Sequence, residues 1–198
     1  MTGRFIALEG GEGSGKSTQA KLLADALDAV ATFEPGDTAL GVGIRAVLLD
    51  PATASLDDRA EALLMAADRA QHVAEVIRPA LEQGRHVVCD RYFGSSIAYQ
   101  GYGRGLSTEW VAKLSAWATD GLTPDLTVLL DVPAEVTAAR ASGKPDRFES
   151  AGDLFHERVV EGYRALAADP TWVIVDGSGT VDEVAVAVRA TVRDRLDL

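Results

Sequence analysis

Residues Gly10 to Ser17 read GGEGSGKS, and Thr18 follows. The apolar run Phe5-Ile6-Ala7-Leu8 stands just ahead, and a stretch with Ala20, Leu23, Ala24 and Leu27 on one side comes directly after. Strand, glycine loop and helix in that order are the setting in which G-x-x-x-x-G-K-[ST] acts as a phosphate cradle. Glycines at 10, 11, 13 and 15 let successive backbone N–H groups turn inward without Cβ clashes. The helix that follows adds its positive end and its unpaired donors. Gly10, Gly11, Glu12, Gly13, Ser14, Gly15, Lys16, Ser17 and Thr18 are therefore the candidate residues for a nucleoside triphosphate. Lys16 is placed to reach the β- and γ-phosphates, and the Ser17 hydroxyl to ligate Mg2+.

The remainder of the chain repeats the strand-then-helix order. Short apolar runs rich in β-branched residues occur at 4–9, 29–33, 86–90, 126–132 and 172–176. Helical patterns lie between and after them, at 15–28, 39–49, 57–83, 107–119, 133–142, 150–168 and 180–196. In the last, Val181, Val184, Val188 and Val192 form a core stripe, and Thr180 with Glu183 forms a capping box. Pro79 is expected to kink the long helix or restart it near Arg78. This alternation predicts an α/β fold: five parallel strands with helices on both faces, in one domain spanning 1–198. Ligands of such folds bind beyond the carboxyl ends of the strands.

Charge and composition exclude several classes of function. The net charge of −11 argues against a nucleic-acid partner, which needs a basic face. No apolar run approaches the ~20 residues of a membrane span, and no signal peptide is visible. Cys89, the single cysteine, rules out an intrachain disulfide and reads as a small buried hydrophobe. Together these features predict a cytoplasmic location. No His, Cys or carboxylate spacing suggests zinc. Trp110 and Trp117, seven apart on one predicted helix, read as core or subunit interface. His72 and His156 read as helix-face residues rather than catalysts.

Polar residues follow each strand. Glu34-Pro35-Gly36-Asp37-Thr38 follows the second, Asp90-Arg91-Tyr92 the third, and Asp131 ends the fourth. A carboxylate at a strand end beside a phosphate loop suits Mg2+ or its water shell, which makes Asp90 with Ser17 the candidate metal site. Arg91 suits bidentate phosphate recognition.

With these residues in view, the chain resembles the bacterial thymidylate kinases over nearly its whole length. Beyond the glycine loop, the resemblance rests on RAEALLMAADRAQHV (59–73), DRYFGSSIAYQGYGRGL (90–106) and DRFE (146–149). It implies a P-loop kinase that moves the γ-phosphoryl group of ATP to dTMP with Mg2+, and a homodimer paired through long helices. It places Glu12, Lys16, Asp90, Arg91 and Arg147 at the reaction centre. Glu34 matches, with Asp90, an acidic position near that centre, and Arg45 and Arg91 match clamps on the acceptor phosphate. Arg69, Ser96 and Gln100 fall at the thymine edge, and Tyr99 against the 2′ carbon of the sugar. Residues 140–149 match a mobile lid, with Arg140 toward adenine. The chain departs from the family's pattern at Phe33, where Arg is usual, at Asp37, where the glycine is commonly doubled, and at Met65, where Phe usually stacks on the base. Its lid is also poorer in arginine. Alternative readings are a kinase for another nucleotide such as dUMP, and a P-loop ATPase switch.

Overall fold

A computed structural model of the chain describes residues 3–53, 55–140 and 144–198. Five parallel strands form one sheet: β1 (Phe5–Glu9), β2 (Val30–Phe33), β3 (Val87–Asp90), β4 (Leu126–Asp131) and β5 (Trp172–Asp176), in the order β2-β3-β1-β4-β5. The central strand β1 is buried along its whole length, and its residues alternate between the two faces of the sheet. Ile6 and Leu8 pack with Leu23, Val184, Val188 and Val192, under α1 (Lys16–Leu27) and α9 (Val181–Leu196). Phe5 and Ala7 pack on the other face with Val73, Ile77 and Ala80. Near-continuous apolar strands are what a parallel sheet covered on both faces requires.

The long helix between β2 and β3 behaves as its proline predicts. α3 (Asp58–His72) passes into a π turn at Val73–Ile77, and α4 (Arg78–Glu82) restarts at Arg78. Pro79 lacks an N–H and crowds the preceding turn, and the wider π turn accommodates both effects. Thr180 and Glu183 form the capping box at the start of α9.

One helical element has no counterpart in the sequence reading. α5 (Phe93–Ser96) runs into a π turn at Ile97–Gly103 before α6 (Thr108–Ala118). Gly94, Ser95, Ser96, Gly101 and Gly103 give this stretch poor helical propensity. Tertiary packing overrides that preference, because small residues let the element approach the sheet. A Cβ at Gly94 would lie 2.7 Å from the Trp172 ring and 2.8 Å from a Glu9 carboxylate oxygen. A Cβ at Gly103 would lie 2.6 Å from the Phe155 ring of α8 (Asp153–Leu166). The remaining α-helices among the described residues are α2 (Ala39–Leu49) and α7 (Ala134–Arg140).

The close approach at Gly94 is testable. Gly94→Ala should lower unfolding free energy by about 1–3 kcal/mol, since neither the buried Trp172 ring nor the anchored Glu9 can yield freely. Chemical denaturation of both forms measures this, and equal stability would contradict the packing described.

Candidate active site

The glycine loop leaves β1 at the centre of the sheet and ends in the first turn of α1. Gly13 and Gly15 have φ of 70° and 88°, in the left-handed region that favours glycine. Lys16 is buried, and its ammonium donates to the Gly11 carbonyl at 2.7 Å and to Ser14 Oγ at 3.3 Å. Burial, with Arg91 nearby, pulls its pKa down to about 8. Ser17 Oγ donates to Asp90 Oδ2, while Asp90 Oδ1 is buried without a partner among the described residues. A hydroxyl and a carboxylate with a free oxygen, side by side, form a donor set suited to a hard cation. β3 pairs with β1 so that Asp90 lies level with Leu8, and this register brings Asp90 to the loop.

Arg91, one residue beyond, has a positive φ of 69°. This uncommon backbone for a non-glycine residue turns its side chain across the strand ends. The guanidinium donates to Glu12 at 2.5 Å, to the Gly10 carbonyl and Ser95 at 3.1 Å, and to the hydroxyls of Tyr163 at 3.1 Å and Tyr99 at 3.2 Å. Burial works to raise the Glu12 pKa, but Arg91 and Lys16 prevail and hold it down at about 2. Tyr99 donates to the same Glu12 oxygen at 2.9 Å. Glu12, Lys16, Arg91 and Tyr99 thus form one charged group at the mouth of the loop.

A cavity opens from this group toward α3. Glu12, Arg91 and Tyr99 line one end, and Glu34, Arg45, Met65, Arg69, Ser96 and Gln100 are among the residues that line the rest. Arg69 is buried and held from several sides, donating to Glu34 at 2.7 Å, Ser96 at 3.0 Å and the Tyr92 carbonyl at 3.1 Å. Glu34 also bonds His72 at 2.9 Å, whose other ring nitrogen meets Thr32 at 2.5 Å. Burial, followed by the charge of Glu34, raises the Asp68 pKa to about 6 behind this wall. Arg45 bonds the Pro35 carbonyl at 2.6 Å and lies over the Phe33 ring, so Phe33 here supports a cation. Met65 lines the cavity and also packs against the core.

Not all of the candidate residues meet. Arg147 is buried away from the phosphate loop, donating to Glu61 at 2.6 Å and to the Leu48 carbonyl at 2.8 Å. The buried carboxylate and carbonyl hold the guanidinium in this structure, and Arg147 does not line the cavity. Arg140 bonds the carbonyls of Gly177, Ser178 and Gly179 in the loop after β5. Of the expected lid at 140–149, residues 141–143 lie outside the described residues.

Sequence reasoning also missed several residues. Glu9 ends β1 buried, and accepts from the backbone N–H groups of Tyr92 and Ser95 and from the Ser95 and Tyr163 hydroxyls. Its burial raises its pKa. A carboxylate closing an otherwise apolar strand just before the loop was its visible signal. Glu61, Arg104, Ser95 and Tyr163 carried no comparable signal, because their partners are distant in sequence. His72 is fully buried in hydrogen bonds, and Cys89 is a buried thiol whose pKa is raised well above the ordinary value by burial. Glu34, His72 and Cys89 bring ligand atoms within 4.8 Å of one another, against the expectation from spacing. Arg69, His72 and Thr32 already occupy that cluster with internal bonds.

Comparison with known proteins identifies the family. The model of the thymidylate kinase family matches residues 8–188. A thymidylate kinase of Solidesulfovibrio magneticus is 50% identical over 93% of this chain and 96% of its own length. That of Leifsonia xyli is 49% identical, over 98% and 96%, and that of Cutibacterium acnes 46% identical over the full length of both. With a family model matching residues 8–188 and relatives about half identical over nearly the whole chain, the chain belongs to the thymidylate kinase family.

Proposed function

We propose that this chain transfers the γ-phosphoryl group of ATP to dTMP, yielding ADP and dTDP, a step in nucleotide biosynthesis. A phosphate oxygen of dTMP attacks the γ-phosphorus as the bond to the β–γ bridging oxygen breaks. The observation that carries the reading is Arg91, whose guanidinium borders both the glycine loop and the cavity. Phosphoryl transfer asks the protein mainly for positioning and electrostatic stabilisation. Two polyanions must meet there, and Arg91 and Lys16 supply the positive charge. Ser17 and Asp90 would hold Mg2+, which neutralises phosphate charge when bound. Arg45 and Glu34 would orient the acceptor, Arg69, Ser96 and Gln100 would meet the base, and the Tyr99 ring would exclude a 2′-hydroxyl. Residues 1–198 act as one domain, with the segment at 140–149 as its lid.

The partner is a second copy of the chain. Trp110 and Trp117 are 69% and 82% exposed on α6, so they are not core, and α3, which packs on α6, exposes Leu63. Large apolar side chains on one helical layer favour helix pairing across a dimer. No helix among the described residues is long and apolar enough to cross a membrane. Free nucleotides as substrates and a reduced, buried Cys89 suit a cytoplasmic enzyme.

Coupled ADP-release assays across dTMP, dUMP, dCMP, dGMP, dAMP and UMP test the reaction. Efficient use of dTMP, measurable use of dUMP and rejection of purines are expected. Met65 is flexible enough to fill the space of the thymine methyl, which is worth only ~1–3 kcal/mol in a pocket. Lys16→Ala should reduce kcat at least about a hundredfold in a folded protein, and near-native turnover would displace the loop from the reaction centre.

The same lysine predicts a pH profile. Its ammonium is present below its pKa of about 8 and is lost as pH rises through that value. The ratio kcat/KM for ATP reports the free enzyme and should be level below pH 8 and fall above it. A level profile from pH 7 to 10 would contradict this role.

Analytical ultracentrifugation tests the pairing. The native chain should sediment as a dimer, and Trp110→Ser with Trp117→Ser should shift it toward monomer without loss of helical signal.

A further inference from the structure

The buried carboxylate of Glu61, on α3, lies outside the cavity and carries no assigned role. It is 0% exposed and accepts from Gln100 Nε2 at 2.8 Å, from Arg147 at 2.6 Å and from Arg104 at 3.1 Å. Paired with two guanidinium groups, a carboxylate has only acceptors to present to a third neighbour. The Gln100 side chain can meet it only with the amide nitrogen. Its carbonyl oxygen, Oε1, must therefore face the other way.

That oxygen is buried and has no partner among the described residues. A buried acceptor left unpaired is costly, which points to a donor supplied from elsewhere. Arg147 Nη2 is also unpaired in this network, but of the two residues only Gln100 lines the cavity. Thymine and uracil carry a hydrogen on ring nitrogen N3 and can donate there, whereas cytosine presents a lone pair at that position. An acceptor fixed in one orientation favours the first two bases and repels the third.

We propose that Glu61 is a positioning residue that locks the Gln100 amide with its oxygen toward the base and so selects pyrimidines that carry an N3 hydrogen. The proposal rests on the thymidylate kinase reading of the cavity. Arg104 and Arg147 keep Glu61 an acceptor. Arg147 also ties it to the carbonyl of Leu48, and its backbone N–H to that of Leu49, beside cavity residues Leu49, Asp146 and Phe148. The selecting group is thereby braced against the wall that the segment after 144 contributes.

Glu61→Gln tests this, because the new amide can either donate or accept and leaves Gln100 free to flip. The measurement is kcat/KM for dTMP, dUMP and dCMP in native and variant proteins. The dTMP/dCMP ratio should fall about tenfold or more, as a site that loses a fixed hydrogen-bond pattern loses its discrimination. The dTMP/dUMP ratio should stay within about twofold of native, since both bases carry the N3 hydrogen. A general loosening of the pocket would move both ratios, and that result, or an unchanged dTMP/dCMP ratio, would overturn the proposal. Should Glu61→Gln fail to fold, the double variant Glu61→Gln with Arg104→Met removes a charge of each sign and is read by the same two ratios. Loss of folding in both would make Glu61 purely structural and would also overturn it. A native enzyme inactive on dTMP would refute the kinase reading instead, before either ratio is taken.

Discussion

The Arg91 guanidinium sits where the glycine loop, the helical stretch after β3 and α8 converge, and it bonds to groups from each. Gly10 and Glu12 come from the loop, Ser95 and Tyr99 from the helical stretch after β3, and Tyr163 from α8. A buried guanidinium without such partners would be strongly disfavoured, so the surrounding elements are held at the separation that satisfies it. Glu9 acts in the opposite sense one strand away. Its buried carboxylate collects the backbone N–H groups of Tyr92 and Ser95 and fixes the turn that delivers Arg91. Replacing either residue would leave its own buried partners without a hydrogen bond.

This arrangement lowers the cost of bringing two anions together. Lys16 and Arg91 already face acceptors in the protein, the Gly11 carbonyl and the Glu12 carboxylate. Under the proposed reaction, incoming phosphates exchange one acceptor for another, and the cations are never stripped bare. The depressed pKa of Glu12 is the same interaction seen from the carboxylate. Two nearby cations outweigh burial there. The far wall of the cavity follows a similar logic. Glu34 satisfies Arg69, His72 satisfies Glu34, and Thr32 satisfies His72, which leaves a rigid polar surface lining the cavity.

Much of this was legible in local pattern. The apolar runs and their turn signals placed all five strands within about two residues, because a parallel sheet buried on both faces needs continuous hydrophobic stretches. The stripe and capping box of α9 and the interruption before Pro79 were equally local. The helical stretch at 93–103 was not, because Gly94 and Gly103 lower propensity there while permitting contact with Trp172 and Phe155. The partners of Arg147 were hidden for a related reason. The family resemblance implied a phosphate ligand there, and the buried carboxylate on α3 that pairs with it lies 86 residues away in sequence.

Sequence by itself determined the phosphate loop, the strand order along the chain, and the acidic and basic residues at the strand ends. Each depends on neighbours within a few positions, where backbone geometry and side-chain period act directly. Only the tertiary structure decided which of those charges pair. Glu61 meets Gln100, Arg104 and Arg147 across separations of 39, 43 and 86 residues. Nothing in a local window distinguishes a carboxylate that will be buried from one that will be solvated. That choice is made when helices close over the sheet, and burial then obliges each polar group to find a partner.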